Sequence, residues 1–519
     1  MKRLLALLLS AVAVPAAAIP AGFDARVESL RAATGVPGVA VAVVENGTTV
    51  LARGYGVRRL GHPEAVDADT IFMTGSTGKA MTVAALATLV DAGKLGWDDA
   101  VVDRLPGFQM YDPWVTREMT IRDLLVHRSG LGLGAGDLLF VPRGNLSRAE
   151  IVRRLKFIKP ATSFRSRYAY DNILYTVAGA VIEAVSGERY EDYIRDHVFR
   201  PAGMLNSTAD PDRRLATADR AYPHARISGK VRGLGPLAPL DERDQLGQSS
   251  APAGLLAVSA NDMAKWLQLQ LAHGKLPDGR RLFSEASAAT MWTPVTIEPV
   301  APAPPELAGT APTYQNYALG WEVRDYAGAK VIWHDGGVFG FVTSVVLIPE
   351  KNVAFAITQN SEDSALRRGL MYELLDHYLG QPAHDWPARY AAFVDRRLNA
   401  AAATVTAAAA SPAKVGPSLS PQRYAGAYVD PWYGKVVVGQ RAAGLTIDFP
   451  TTPRMSGPLV HYQYDTFVAR FTDPAIEPAY VTFGLDAAGK VDRVSLKPVS
   501  PTADFSFDYQ DLHLVPVKE

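Results

Sequence analysis

Apolar residues change their period several times along the chain, and each change marks a different element. Residues 39–44 and 49–54 are Val-rich runs separated by Glu45, Asn46 and Gly47. Asn-Gly between two apolar runs predicts a tight antiparallel hairpin, because both residues tolerate positive φ. Residues 77–92 are apolar nearly all round, with Gly93 and Lys94 after them. That pattern predicts a helix buried on every face and stopped by glycine. Thr120 is placed to cap a short helix ending near His127. Longer helices are expected over 173–185 and 260–272, the latter introduced by Ser259, Asn261 and Asp262. Strand-like runs return at 317–324, 329–334, 341–348 and 353–359. The economical arrangement is an antiparallel sheet covered by helices, with an inserted helical lobe.

The pattern changes again near the C-terminus. Residues 300–312 hold four prolines and read as a surface excursion near the rim of the enclosed site, and 400–410 are almost all alanine and threonine. With Pro412 and Pro417 following, that second stretch reads as a linker. From Leu419 onward short period-two runs are separated by turn residues, which predicts a small β barrel or sandwich. At the other end, Lys2 and Arg3 precede an apolar run to Val14 and small residues Ala16, Ala17 and Ala18. This is the layout of a secretory leader. The expected organisation is therefore a leader over 1–18, a first domain over 19–385, a helix and Ala/Pro-rich linker over 386–418, and an all-β domain over 419–519. The expected location is periplasmic or secreted, without a stable membrane span.

Composition narrows the chemistry. The 519 residues carry 53 Lys and Arg against 53 Asp and Glu, so no basic excess exists to hold nucleic acid. There is no cysteine, which excludes disulfides, thiolate metal sites and cysteine nucleophiles. No His pair has metal-binding spacing, so neither a metal nor another cofactor is expected. A nucleophile must be an oxygen or an amine.

Ser76 and Lys79, three residues apart at the start of the buried helix, can bring their side chains together. A serine hydroxyl needs a base, and a desolvated lysine can supply one. Tyr170, Asp171 and Asn172 form Y-x-N before a helix, and His334, Asp335 and Gly336, followed by Gly337, form H-x-G on an apolar strand. Other motifs fail. Gly484 to Lys490 spells G-x-x-x-x-G-K, but Val491 follows in place of Ser or Thr and the segment reads as a hairpin turn. Gly247 to Ala251 offers only G-x-S-x-A, with no strand before it.

The three ordered motifs S-x-x-K, Y-x-N and H-x-G resemble those of the penicillin-recognising serine hydrolases: class C β-lactamases, D-Ala-D-Ala carboxypeptidases, D-amino-acid peptidases and related esterases. The resemblance covers residues 22–380 and includes 119–131 (MTIRDLLVHRSGL) and 251–267 (APAGLLAVSANDMAKWL). It implies an α+β fold, an α/β/α-type β-lactamase-like domain with antiparallel sheet and helical lobe. By the same resemblance Ser76 is the acylated nucleophile, Lys79 its proton acceptor and Tyr170 the relay to the leaving group. Asn172, His334, Gly336 and Gly337 bind substrate, and the backbone amides of Ser76 and Gly337 form the oxyanion hole. His127, with Ser129 and Asp123 nearby in sequence, falls in a helix-turn segment and reads as structural. His334 departs from the Lys-Thr-Gly of β-lactamases, and H-x-G is the form carried by the family's aminopeptidases and esterases.

Residues 419–512, with Tyr424-Ala-Gly-Ala-Tyr428 and His461-Tyr-Gln-Tyr-Asp465, resemble the lipocalin-like domain appended to D-amino-acid peptidases. In those relatives it helps assemble oligomers and covers the active site. The expected activity is a peptidase on short peptides with D-residues or unusual linkages, working through an acyl-enzyme and possible as a homo-oligomer. The alternatives are a carboxylesterase or weak β-lactamase of the same family, or a penicillin-binding sensor or interaction module that does not turn over.

Overall fold

The computed structural model describes residues 19–243, 246–410 and 412–517; the leader expected over 1–18 lies outside them. Helix α1 (Phe23–Thr34) leads into β1 (Gly38–Glu45) and β2 (Thr48–Gly56), then come α2 (Lys79–Asp91), α3 (Ile173–Ser186) and α4 (Ala260–Leu271). Strands β3 (Thr296–Ile297), β4 (Gln315–Tyr317), β5 (Glu322–Tyr326), β6 (Ala329–Val338), β7 (Phe341–Ile348) and β8 (Val353–Gln359) follow, and then α5 (Ser364–Leu379) and α6 (Trp386–Ala410). The eight strands form one sheet in the order β2-β1-β8-β7-β6-β5-β4-β3, with every neighbouring pair antiparallel. The first hairpin turns at Asn46 and Gly47, both at positive φ (50° and 76°).

Alternation along β1 splits the core in two. Val39, Val41 and Val43 face a layer made by Phe23, Val27, Leu370, Leu374 and Trp386 of α1, α5 and α6. Ala40, Ala42 and Val44 face the other layer, which holds α2, α3 and α4 and continues into the helical lobe. All eight residues of β1 are buried, which is why its sequence is a continuous apolar run rather than an alternating one.

The second domain is a closed eight-stranded barrel: β9 (Gly426–Asp430), β10 (Gly434–Arg441), β11 (Gly444–Asp448), β12 (Ser456–Gln463), β13 (Thr466–Ala469), β14 (Ala479–Leu485), β15 (Val491–Pro498) and β16 (His513–Pro516). Val429 of β9 pairs with Val515 of β16 and closes it. Its interior is aromatic and aliphatic, including Tyr424, Tyr428, Phe467 and Phe483. Gly484 to Lys490 spans the end of β14 and the hairpin turn to β15, where the Asp486 carboxylate accepts from the amides of Ala488 and Lys490.

Several expectations need correction. The alanine stretch 400–410 is not irregular but helical: it is the second half of α6, since alanine has the highest helix propensity and Trp386 and Tyr390 anchor the first turns in the core. The strand expected over 317–324 is broken between β4 and β5, where Gly320 turns at φ 76°. A Cβ there would lie 2.9 Å from Ala80 Cα, so the break lets the chain pack directly on α2. The Pro-rich segment is fastened to the α5–α6 side, with Leu307 in that core and Glu306 paired with Arg396. The short helix after Thr120 is a single 3₁₀ turn, Arg122–Leu125. Among the described residues no helix is long and apolar enough to cross a membrane.

Candidate active site

Ser76 sits in a 3₁₀ turn, Gly75–Gly78, that runs directly into α2 at Lys79. At three residues per turn, positions i and i+3 eclipse, and Lys79 Nζ stands 3.0 Å from Ser76 Oγ. Lys79 is wholly buried. Its Nζ also reaches Asn172 Oδ1 and the Ala253 carbonyl, each at 2.7 Å. A neutral amine has two N–H bonds and one lone pair. With the two N–H bonds given to Asn172 and Ala253, the lone pair is left facing the serine hydroxyl. Burial pushes the Lys79 ammonium down to about 7, against the opposing pull of Asp137 and Asp171.

The Y-x-N motif enters from the turn before α3, which begins at Ile173. Lys79 Nζ lies 4.8 Å from the centre of the Tyr170 ring. The Tyr170 hydroxyl is buried and makes no hydrogen bond. Burial pushes the phenol well above its ordinary value, so Tyr170 is held protonated. His127 stacks on the Tyr170 ring at 4.1 Å and accepts the Asp171 amide at Nδ1 (3.2 Å). Ser129 donates to the Asp171 carboxylate (2.9 Å). His127 and Ser129 thus buttress Tyr170 and Asp171 from within the core, and Asp123 is taken up by Arg165, Arg128 and Thr120.

The third motif lies on β6, which continues past His334 to Val338. Gly336 and Gly75 let two backbones touch. A Cβ on Gly336 would fall 2.0 Å from the Thr74 carbonyl and 3.0 Å from Ser76 N, and one on Gly75 would fall 2.6 Å from Gly337 N. The amides of Ser76 and Gly337 are thereby brought to one place, while a Cβ on Gly337 would meet nothing within 4 Å. The two backbone segments therefore run in close contact beside Ser76, with open space over Gly337. His334 is different from expectation in its surroundings: it is 2% exposed, and both ring nitrogens are engaged. Nδ1 faces the Asp335 carbonyl at 2.6 Å and so carries the proton, and Nε2 accepts from Tyr317 Oη at 2.8 Å. Burial pushes the imidazole down to about 3, so His334 presents no charge.

Motif reading did not single out Asp137, Ala253 or Asp171 in these roles. Asp137 closes a glycine-rich run, Leu131 to Asp137, whose glycines were the available signal. Its carboxylate accepts from Asn172 Nδ2 (2.8 Å), and burial pushes it up to about 7. Phe505, from the barrel domain, meets Tyr170 edge to face at 5.8 Å, and nothing in the sequence marked it. Among the described residues, no group of three or more His, Cys, Asp or Glu is placed to hold a metal ion.

A serine, a buried amine, a protonated phenol and paired backbone donors define a serine hydrolase site, and sequence comparison agrees. Residues 23–380 match the family model described as Beta-lactamase, and the chain belongs to that family. Residues 410–516 match a second model, described as a domain of unknown function, DUF3471. The chain is 30% identical over 421 residues to unguisins hydrolase ungD' of Aspergillus campestris, covering 78% of this chain and 74% of that protein. It is 31% identical over 355 residues to penicillin-binding protein 4 of Amycolatopsis lactamdurans, covering 66% and 85%. The fold is shared with the octameric penicillin-binding protein homologue from Pyrococcus abyssi, at TM-score 0.57 and 20% identity over 95% of this chain and 98% of that one.

Proposed function

We propose that this β-lactamase-family serine hydrolase is a peptidase on short peptides with D-residues or unusual linkages, acting through an acyl-enzyme on Ser76. The observation that carries the mechanism is the 3.0 Å contact between Ser76 Oγ and a fully buried Lys79 whose other two bonds are already assigned. In acylation Ser76 Oγ attacks the substrate carbonyl and its proton passes to Lys79 Nζ. The oxyanion forms against the amides of Ser76 and Gly337. As the C–N bond breaks, the Tyr170 hydroxyl gives its proton to the leaving amine and is reprotonated from Lys79. Water then attacks the ester, its proton returning through the same groups to Ser76 Oγ as the acid leaves.

The substrate reading rests on His334. A neutral imidazole tied to Tyr317 and Asp335 gives that strand no cation for a substrate carboxylate, which weakens the case for β-lactam hydrolysis. Amides need an acid at the leaving nitrogen, and the protonated Tyr170 is placed to be one. Hydrolase and penicillin-binding relatives are both compatible with a serine that becomes acylated.

The test is intact-mass and peptide mapping of the protein and of Ser76→Ala, each incubated with a p-nitrophenyl ester, a D-alanyl amide, a β-lactam and a peptide ending in D-Ala. The expected result is an adduct on Ser76 and catalytic release of amine from the D-alanyl substrates, both lost in Ser76→Ala. Release from the ester alone would replace the peptidase by an esterase. A persistent β-lactam adduct without turnover of any substrate would replace it by a sensor.

A further inference from the structure

The segment joining β15 to β16 leaves the barrel and enters the hydrolase domain. Asp508, fully buried, accepts the amides of Gly136 (2.7 Å) and Leu138 (3.1 Å). Between those amides lies Asp137, and Ser506 Oγ donates to its Oδ2 at 2.8 Å. The same Oδ2 accepts from Asn172 Nδ2, Asn172 Oδ1 accepts from Lys79, and Lys79 meets Ser76. A continuous chain of four hydrogen bonds therefore runs from the second domain to the candidate nucleophile, through the buried Asp137 and Lys79 and the half-buried Asn172.

We propose that Ser506 is a positioning residue for the hydrolase site, fixing through Asp137 the direction in which Asn172 faces Lys79. This rests on the reading of Ser76 and Lys79 as nucleophile and base. The physical argument concerns hydrogen-bond polarity. A carboxamide can turn over, exchanging its oxygen and nitrogen. Two donors on Asp137 Oδ2, Ser506 and Asn172, fill that oxygen and keep it an acceptor. Asn172 must then offer its nitrogen to Asp137 and its oxygen to Lys79. Asp137 Oδ1 has no partner, so in the intact relay a proton on this carboxyl goes there and Oδ2 still accepts; without Ser506, Oδ2 is free to take the proton and become a donor. Asn172 can then turn over and present N–H to Lys79, which occupies the lone pair that Ser76 requires.

The charged groups around this chain oppose one another: Lys79 favours the Asp137 carboxylate, and Asp504 and Asp508 disfavour it. Besides Asp137, Lys79 faces Asp171, the rings of Tyr170 and Tyr175, and the neutral His127 and His334. Ser506 favours the Asp137 carboxylate, so its removal moves protonation of Asp137 to higher pH. The active form needs an acceptor at that oxygen, so where Ser506 is missing the acid limb of activity follows this protonation upward from the limb set by Lys79.

The test measures labelling of Ser76 by a fluorophosphonate against pH in the full chain; the Oγ–P bond forms, fluoride leaves and Lys79 takes the serine proton. Ser506→Ala is expected to move the acid limb up by about one unit, which is about tenfold in rate on that limb, while the alkaline plateau is retained. Ser506→Thr, which keeps the hydroxyl, should restore the wild-type limb. In an Asp137→Asn background, Ser506→Ala should leave the profile unmoved. A lowered plateau with an unmoved limb would reduce Ser506 to a structural contact and overturn the proposal. Absence of wild-type labelling would overturn the nucleophile reading itself, and this proposal with it.

Discussion

The turn at Ser76 and the barrel segment at Ser506 serve the same lysine by different physics. The first is backbone against backbone: Gly75, Gly336 and Gly337 bring two main chains together with no room for a Cβ at two of the three positions. The second is a relay of polar side chains across a domain boundary, each held by one or two hydrogen bonds. Close packing tolerates almost no displacement, whereas a hydrogen-bonded relay can lose one member and reorganise. The turn should therefore be brittle under substitution, and the relay should change its pH response before it fails.

The largest effect is expected at the group the two regions share. Lys79→Ala removes the base and should lower kcat by roughly two to four orders of magnitude, measured as release of amine from a D-alanyl amide. In the wild type, Lys79 is ammonium below about 7 and a free amine above it. Activity should thus rise with pH through a midpoint near 7. Tyr170, held above its ordinary value, should impose no loss in the neutral range. A limb near 10, the ordinary lysine range, would show that burial is not what prepares the base.

Much of the first region could be read from sequence, because its chemistry is local. Ser76 and Lys79 are three residues apart, Tyr170 and Asn172 two, and a turn or a helix start brings such pairs together wherever the rest of the chain goes. The antiparallel sheet was legible too, since β1, β7 and β8 are short, largely apolar runs rich in β-branched residues. What sequence concealed was of two kinds. The helical state of residues 400–410 was hidden because alanine-rich stretches serve equally as linkers and helices, and the anchors that decide, Trp386 and Tyr390, lie more than two turns earlier. The relay was hidden because Ser506 and Asp137 are separated by 369 residues, and nothing about a serine in a loop announces its partner. The resemblance makes His334 a substrate-binding residue, yet it lies buried. Its burial depends on Tyr317, brought alongside by the break between β4 and β5 that the pattern did not show.

Gly336→Ala tests the brittleness of the turn. The new methyl would be driven into the Thr74 carbonyl, and the strand must move away from Ser76 to relieve it. That displaces one of two oxyanion donors. On the order of a 10²–10³-fold loss in kcat is expected, with KM little changed because the ground-state carbonyl uses these donors weakly. Retained thermal unfolding would confirm that the fold survives. A loss of less than about tenfold would mean that the strand moves freely, contradicting the contrast with the relay.

The smallest effect is expected at the tip of the barrel segment. Phe505 remains 38% exposed and meets Tyr170 edge to face. Such aromatic contacts contribute about 0.5–1.5 kcal/mol, so Phe505→Ala should lower kcat/KM by no more than roughly tenfold. The change should fall mainly on KM, because Phe505 forms part of the wall beside Tyr170 and takes no part in the relay through Asp137. The acid limb should stay in place, in contrast to Ser506→Ala one residue away. If Phe505→Ala instead shifts the limb, the segment acts as a single rigid body on the lysine, and the separate assignment to the Ser506 hydroxyl fails.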